Sequence, residues 1–135
     1  MMVETVLLID DDKATQYIHK RVVDKHNDFK NVLTFFGGDI ALSYLKSINV
    51  SFIKKPQLIL LDLNMPSMNG WEFIEAYNQL EDEIIEHSKL IILTTSNDPR
   101  DISRSKNIKG VSDYIIKPLS NEKLDLILES YFVNS

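Results

Sequence analysis

The sequence predicts an α/β fold, an open doubly wound parallel sheet of five strands in the order 2-1-3-4-5 with helices on both faces. Three observations predict it. Short unbroken apolar runs, such as Val6-Leu7-Leu8-Ile9 and Leu58-Ile59-Leu60-Leu61, alternate with stretches of helical spacing, the pattern of strands buried on both sides by covering helices. Five such strand-helix units follow one another, too few for an eight-fold barrel and suited to an open sheet with right-handed crossovers. Polar residues collect where four of the five runs end, and in open α/β sheets the site lies at the carboxyl ends of the strands beside the switch point of the strand order.

The first strand is Val6 to Ile9, and the helix after it carries Ala14, Tyr17, Ile18 and Val22 along one stripe. The second strand, Val32 to Phe36, is broken by Gly37-Gly38, after which Ala41, Tyr44, Leu45 and Ile48 repeat the stripe. Pro56 announces the third strand, Leu58 to Leu61, and the turn from Pro66 to Gly70 leads to a helix that buries Phe73, Ile74, Tyr77 and Leu80. The fourth strand is Leu90 to Leu93. The helix opened by Asp98-Pro99 has only Ile102 and Ile108 as apolar residues, so it is expected to be loosely held. The fifth strand, Tyr114 to Ile116, closes on Lys117-Pro118, and Ser120 caps a last helix with Leu124, Ile127, Leu128 and Tyr131 facing inward. This is the flavodoxin-like arrangement.

At 135 residues, 44% hydrophobic and 26% charged, the chain has the length of one domain spanning 1–135, with no output domain expected, and disorder is excluded. With 15 Lys and Arg against 20 Asp and Glu the net charge is −5, which argues against nucleic-acid binding. No cysteine is present, so disulfides, thiolate zinc sites and a cysteine nucleophile are excluded. The apolar runs are far short of the ~20 residues needed to span a bilayer, and Asp10-Asp11-Asp12 follows too soon after Met1 for a signal peptide. A cytoplasmic protein without a membrane segment is expected.

The first strand ends in Asp10-Asp11-Asp12, the third in Asp62, the fourth in Thr94-Thr95-Ser96 and the fifth in Lys117, whereas the second, at the far edge, ends in Phe36 and two glycines. Each feature alone reads as a helix cap or a turn. Together they read differently, because carboxylates gathered from two adjacent strands repel one another unless a cation sits among them. Hard oxygen ligands beside phosphate suit Mg²⁺. A lysine and a threonine hydroxyl facing that metal supply the charge and the donor a phosphoryl group needs. Carboxylate nucleophile, divalent metal, lysine and hydroxyl describe phosphoryl transfer to an aspartate.

The sequence resembles the receiver domain of two-component response regulators, of the stand-alone type. The resemblance rests on Leu7-Leu8-Ile9-Asp10-Asp11-Asp12, on Leu60-Leu61-Asp62-Leu63-Asn64-Met65-Pro66 through Gly70, on Ile92-Leu93-Thr94-Thr95 and on Tyr114-Ile115-Ile116-Lys117-Pro118, motifs spread across essentially the whole chain. It implies that Asp62 is the phosphoacceptor, taking its group from a sensor histidine kinase or a histidine phosphotransfer protein. It implies Mg²⁺ ligation by Asp11, Asp62 and the Asn64 carbonyl, with Asp10 acting mainly through water. Lys117 would contact the phosphoryl oxygens and form a cis bond to Pro118. Thr94 would swing to the phosphoryl group, and Tyr114 would move from an outward to an inward rotamer. Thr95 stands where the family more often has a smaller residue, which bears on phosphoryl lifetime. An unidentified downstream partner, and a monomer or a weak phosphorylation-dependent dimer, complete the expectation.

Other residues read as structural. His19 and His26, seven apart and therefore about 10 Å along a helix, read as solvated, as does His87. Gly37-Gly38 reads as a turn, since no phosphate-loop pattern surrounds it. The six acids from Glu72 to Glu86 read as a solvated helix end, with an acidic docking patch as the lesser reading, and Trp71 reads as packing. A haloacid-dehalogenase-like phosphatase requires D-x-D-x-T, where this chain has Ala14, and a flavodoxin-like FMN carrier would place hydroxyls and glycine where this chain is acidic. The alternative from another class is a degenerate receiver that serves only as a protein-binding scaffold. Replacement of Asp62, Asp11 or Lys117 would favour it, and all three are present.

Overall fold

The computed structural model describes residues 3–48 and 57–132. Pro56 lies outside the described residues. The elements are β1 (Val3–Ile9), α1 (Lys13–Asp24), β2 (Phe29–Phe35), α2 (Gly38–Ser47), β3 (Gln57–Leu61), α3 (Gly70–Tyr77), α4 (Asp82–Glu86), β4 (Ser88–Thr94), α5 (Pro99–Asn107), β5 (Val111–Ile116) and α6 (Asn121–Tyr131). The strands form one parallel sheet in the order β2-β1-β3-β4-β5, the predicted topology.

The unbroken apolar runs follow from burial on both faces, because successive side chains of a strand point to opposite sides. Leu7, Ile9, Ile59, Leu61, Leu90 and Ile92 pack with Ala41, Leu45, Phe73, Ile74 and Tyr77 of α2 and α3. Their neighbours Val6, Leu8, Leu58, Leu60, Ile91 and Leu93 pack on the other side with Val23 of α1 and Leu124, Ile127 and Leu128 of α6. Ser120 caps α6 by accepting the Lys123 N–H at 3.2 Å, and Tyr131, half-buried, donates its hydroxyl to the Ser112 carbonyl at 3.0 Å.

Several elements differ from the sequence reading. The inward face of α1 is Gln16, His19 and Val23, while Tyr17 and Ile18 are 63% and 54% exposed. The helix presents polar atoms inward because strand ends and a loop N–H lie beneath it and need partners. Gln16 donates to backbone carbonyls, and His19 Nε2 accepts the Leu119 N–H at 3.4 Å. Neither His19 nor His26 is solvated. His26 lies beyond the end of α1, accepts the Asp28 N–H at Nδ1 (3.1 Å), and meets Asp125 Oδ1 at 2.7 Å through Nε2. An Nδ1 that accepts leaves the proton on Nε2, which makes that ring the donor to Asp125. His87 is half-buried, with Nδ1 2.8 Å from the Glu83 carbonyl.

α3 ends at Tyr77, so Leu80 packs half-buried in the turn beyond it, and the acidic stretch forms the separate short helix α4 with Ile84 buried. β2 ends at Phe35, which leaves Phe36 46% exposed at the edge. β5 begins three residues before Tyr114, paired with β4 through an irregularity between Leu90 and Ile91. α5 matches its thin apolar content: Asp98 caps it by accepting the Arg100 N–H at 2.9 Å, Pro99 opens it, and Ser105 is its buried residue. Trp71 packs against the core and under Arg104, whose guanidinium lies 4.3 Å from the ring centre. No helix among the described residues is long and apolar enough to cross a membrane.

Candidate functional site

The backbone hydrogen bonds of the sheet run one residue past its strands and so deliver the polar side chains to one level. Asp10 N–H donates to the Phe35 carbonyl at 3.1 Å, Asp62 N–H to Ile9 at 2.9 Å, and Lys117 N–H to Thr94 at 2.8 Å. The loop after Asp62 folds back so closely that a Cβ on Gly70 would lie 2.8 Å from the Asp62 carbonyl oxygen and the Leu63 Cα. Gly70 is therefore required by the approach of two backbones.

Asp10, Asp11 and Asp62 offer carboxylate oxygens that all lie within 4.8 Å of one another; Asp10 and Asp62 are buried and Asp11 is exposed. Lys117 Nζ donates to Asp10 Oδ2 at 2.7 Å and stands 3.7 Å from Asp62 Oδ1. The other oxygen of Asp10 accepts the Asp12 N–H at 2.9 Å. Burial, and then the charge of Asp10, push the Asp62 carboxyl above its ordinary value, opposed by Lys117, the Asn64 backbone N–H and Thr94. Three carboxylates thus share one nearby ammonium, held by Asp10 and near Asp62, while Asp11 opens to solvent. That donor set, hard, oxygen-only and short of positive charge, fits a divalent cation such as Mg²⁺.

Asp12 stands apart from this cluster. It is the N-cap of α1, accepting the backbone N–H and the hydroxyl of Thr15, and those bonds hold its carboxyl below the ordinary range. Thr94 is fully buried at the end of β4, and Thr95 beside it is exposed on the rim. The Lys117–Pro118 peptide bond is cis.

Four residues to which the sequence reading gave no role support the site, Ser96 among them although it stands in the polar run that ends the fourth strand. Ser96 links Thr94 to Tyr114: its N–H donates to the Thr94 hydroxyl at 3.3 Å, its carbonyl accepts the Tyr114 hydroxyl at 2.8 Å, and its own hydroxyl donates to Asp101 at 2.7 Å. Lys123 donates to the Ile116 and Pro118 carbonyls at 2.6 and 2.7 Å, straddling Lys117. His19 holds the next residue of that loop through the Leu119 N–H. Gln16 reaches the end of β1. For Gln16 and His19 the signal is a buried polar residue on the inner face of a helix, visible only once the faces are known.

Fold, strand-end cluster and lysine agree with what comparison finds. The response regulator receiver domain model matches residues 6–129. The chain belongs to this family, the receiver domains of two-component systems. It is 32% identical over 126 residues to the probable C4-dicarboxylate response regulator DctR of Halalkalibacterium halodurans, covering 93% of this chain and 50% of that protein. It is 28% identical over 120 residues to the nitrate/nitrite response regulator NarL of Escherichia coli, covering 89% and 50%. The chain therefore spans about half the length of these curated relatives. Among solved structures it is similar to a two component response regulator from Cytophaga hutchinsonii, with TM-score 0.86, 27% identity and 96% of each chain covered. It is also similar to the chemotaxis protein CheY4 of Vibrio cholerae, with TM-score 0.71, 25% identity, and 96% and 98% covered.

Proposed function

We propose that this receiver accepts a phosphoryl group on Asp62 from a phosphohistidine of a sensor histidine kinase or histidine phosphotransfer protein, in a reaction that requires Mg²⁺. The observation that carries the reading is the convergence of three carboxylates from the ends of β1 and β3 within 4.8 Å of one another, two of which, Asp10 and Asp62, lie 2.7 and 3.7 Å from one lysine at the end of β5. Asp11, Asp62 and the Asn64 carbonyl would hold the metal, with Asp10 supporting it from behind. Mg²⁺ bound there supplies positive charge that offsets both the carboxylates and the incoming phosphoryl oxygens.

The chain's own residues do the rest. An Asp62 oxygen forms the new bond to phosphorus as the phosphorus–nitrogen bond to the donor imidazole breaks and its electron pair leaves with the ring. Lys117 moves its attention from carboxylate to phosphoryl oxygen, a shift its 3.7 Å distance from Asp62 leaves open. Thr94 donates its hydroxyl to the same group. Tyr114 then reports the change outward through Ser96, and the modified domain acts by contact with a partner protein. Incubation with a small phosphodonor tests the chemistry: one phosphoryl mass is gained with Mg²⁺ and none with the metal chelated. Equal gain in both conditions contradicts the metal requirement.

A further inference from the structure

Gln16 lies on the inner face of α1, 2% exposed, and its amide nitrogen faces three backbone carbonyls at once: Leu8 at 2.8 Å, Phe35 at 3.0 Å and Asp10 at 3.1 Å. An amide has two hydrogens to give, so the three carbonyls share them. Its own oxygen is buried without a hydrogen-bond partner, an arrangement that costs free energy. Turning the amide over would point that oxygen at three others, so the orientation is fixed by the carbonyls. A side chain that leaves its acceptor unsatisfied in order to tie two strand ends together serves more than the packing of a helix.

What it ties is the base of the acidic cluster. Asp10 has each of its polar atoms held: its N–H by Phe35, its carbonyl by Gln16, one carboxylate oxygen by the Asp12 N–H and the other by Lys117. The Phe35 carbonyl receives both the Asp10 N–H and the Gln16 amide. Gln16 is the link by which α1 fixes the Asp10–Asp11 peptide just past β1, and the direction of that peptide sets where Asp11 emerges opposite Asp62.

We propose that Gln16 is a positioning residue for the divalent-cation site, holding the ends of β1 and β2 so that Asp10 and Asp11 meet Asp62 at binding distance. The inference rests on the Mg²⁺ reading above. Residues that orient ligands from behind typically govern 10- to 100-fold in metal affinity.

The test is Mg²⁺ binding by calorimetry, well below the melting temperature, on the parent, Gln16→Met and Val23→Ala. Gln16→Met keeps the length and apolar stem of the side chain and removes the donors. Val23→Ala loosens the same buried face of the same helix away from the site. We expect Gln16→Met to weaken Mg²⁺ binding roughly tenfold and Val23→Ala to bind as the parent does. Parent-like binding by Gln16→Met, or equal weakening by Val23→Ala, overturns the proposal. Should Gln16→Met fail to melt cooperatively, Gln16→Asn is measured instead. It retains the amide on a shorter stem, is expected to bind more weakly than the parent, and overturns the proposal if it binds equally. A parent that binds no Mg²⁺ overturns the functional reading beneath the inference, a result distinct from each of these.

Discussion

Lys117 donates to Asp10 at 2.7 Å and stands off Asp62 at 3.7 Å, so of the two buried carboxylates beside it the one proposed as nucleophile lacks the short ammonium contact. Its desolvation and the Asp10 charge are only partly offset. Two carboxylates and a lysine balanced in this way leave the exposed Asp11 as the group that tips the cluster toward a cation.

Mg²⁺ is therefore predicted to stabilise the fold. At ten times its dissociation constant the gain is about 1.4 kcal/mol, roughly 5 °C in melting temperature for a domain of this size. Asp11→Ala should abolish the response, and should melt no lower than the parent without metal because one like charge is gone. Thermal melts with and without Mg²⁺ check both, and a mutant that responds as the parent does excludes Asp11 as a ligand.

His19 gives the fold a pH dependence. Burial, and then the Lys117 charge, lower its pKa below the ordinary 6.5, with Lys123 adding to the effect and Asp10 opposing it. The unfolded chain then takes up the proton first as pH falls. Stability from this group is complete above pH 6.5 and is lost below it, levelling off once the folded form is protonated too. Protonation of Nε2 also removes the acceptor for the Leu119 N–H. Denaturant unfolding at pH 7.5 and 5.5 should show a larger loss for the parent than for His19→Gln; equal losses would exclude His19 as the source.

The output side should respond through Ser96. Its carbonyl holds the Tyr114 hydroxyl and its N–H reaches Thr94, while α5, with little buried apolar surface, opens easily. Arg100, Arg104, Lys106 and Lys109 make this the basic part of an acidic protein. Phosphorylation is predicted to change hydrogen exchange across residues 98–107 more than across α1. Unchanged exchange there would count against this surface as the output face.

Thr95 is predicted to lengthen the life of the phosphorylated form. It is exposed beside the fully buried Thr94, and a β-branched side chain is stiff at χ1 and hinders water more than alanine does. Loss of ~1.4 kcal/mol of hindrance would speed hydrolysis about tenfold. Decay of phosphoryl mass after donor removal should be faster in Thr95→Ala, with the Mg²⁺ requirement unchanged, and an equal or longer half-life refutes the steric account.

The doubly covered sheet was legible because Val6 to Ile9 and Leu58 to Leu61 are short and apolar at every position, and its strand order because the common five-strand order puts its switch point between the first and third strands, where the acids fall. The cluster was legible because Asp10, Asp62, Thr94 and Lys117 each end a strand, and topology alone brings strand ends together. The inner face of α1 was not. Tyr17 and Ile18 look like core by composition, yet the surface beneath the helix is made of strand-end carbonyls and a loop N–H, which select Gln16 and His19. α4 was missed because its five residues carry a single buried apolar side chain, Ile84, too few for periodicity to register.

Whether Asp62 carries the phosphoryl group is decided by intact-mass measurement. The parent and Asp62→Asn are incubated with the same small phosphodonor and Mg²⁺, after thermal melts establish that both are folded. The parent is predicted to gain one phosphoryl mass and Asp62→Asn none. Equal gain in Asp62→Asn would place the reaction on another residue.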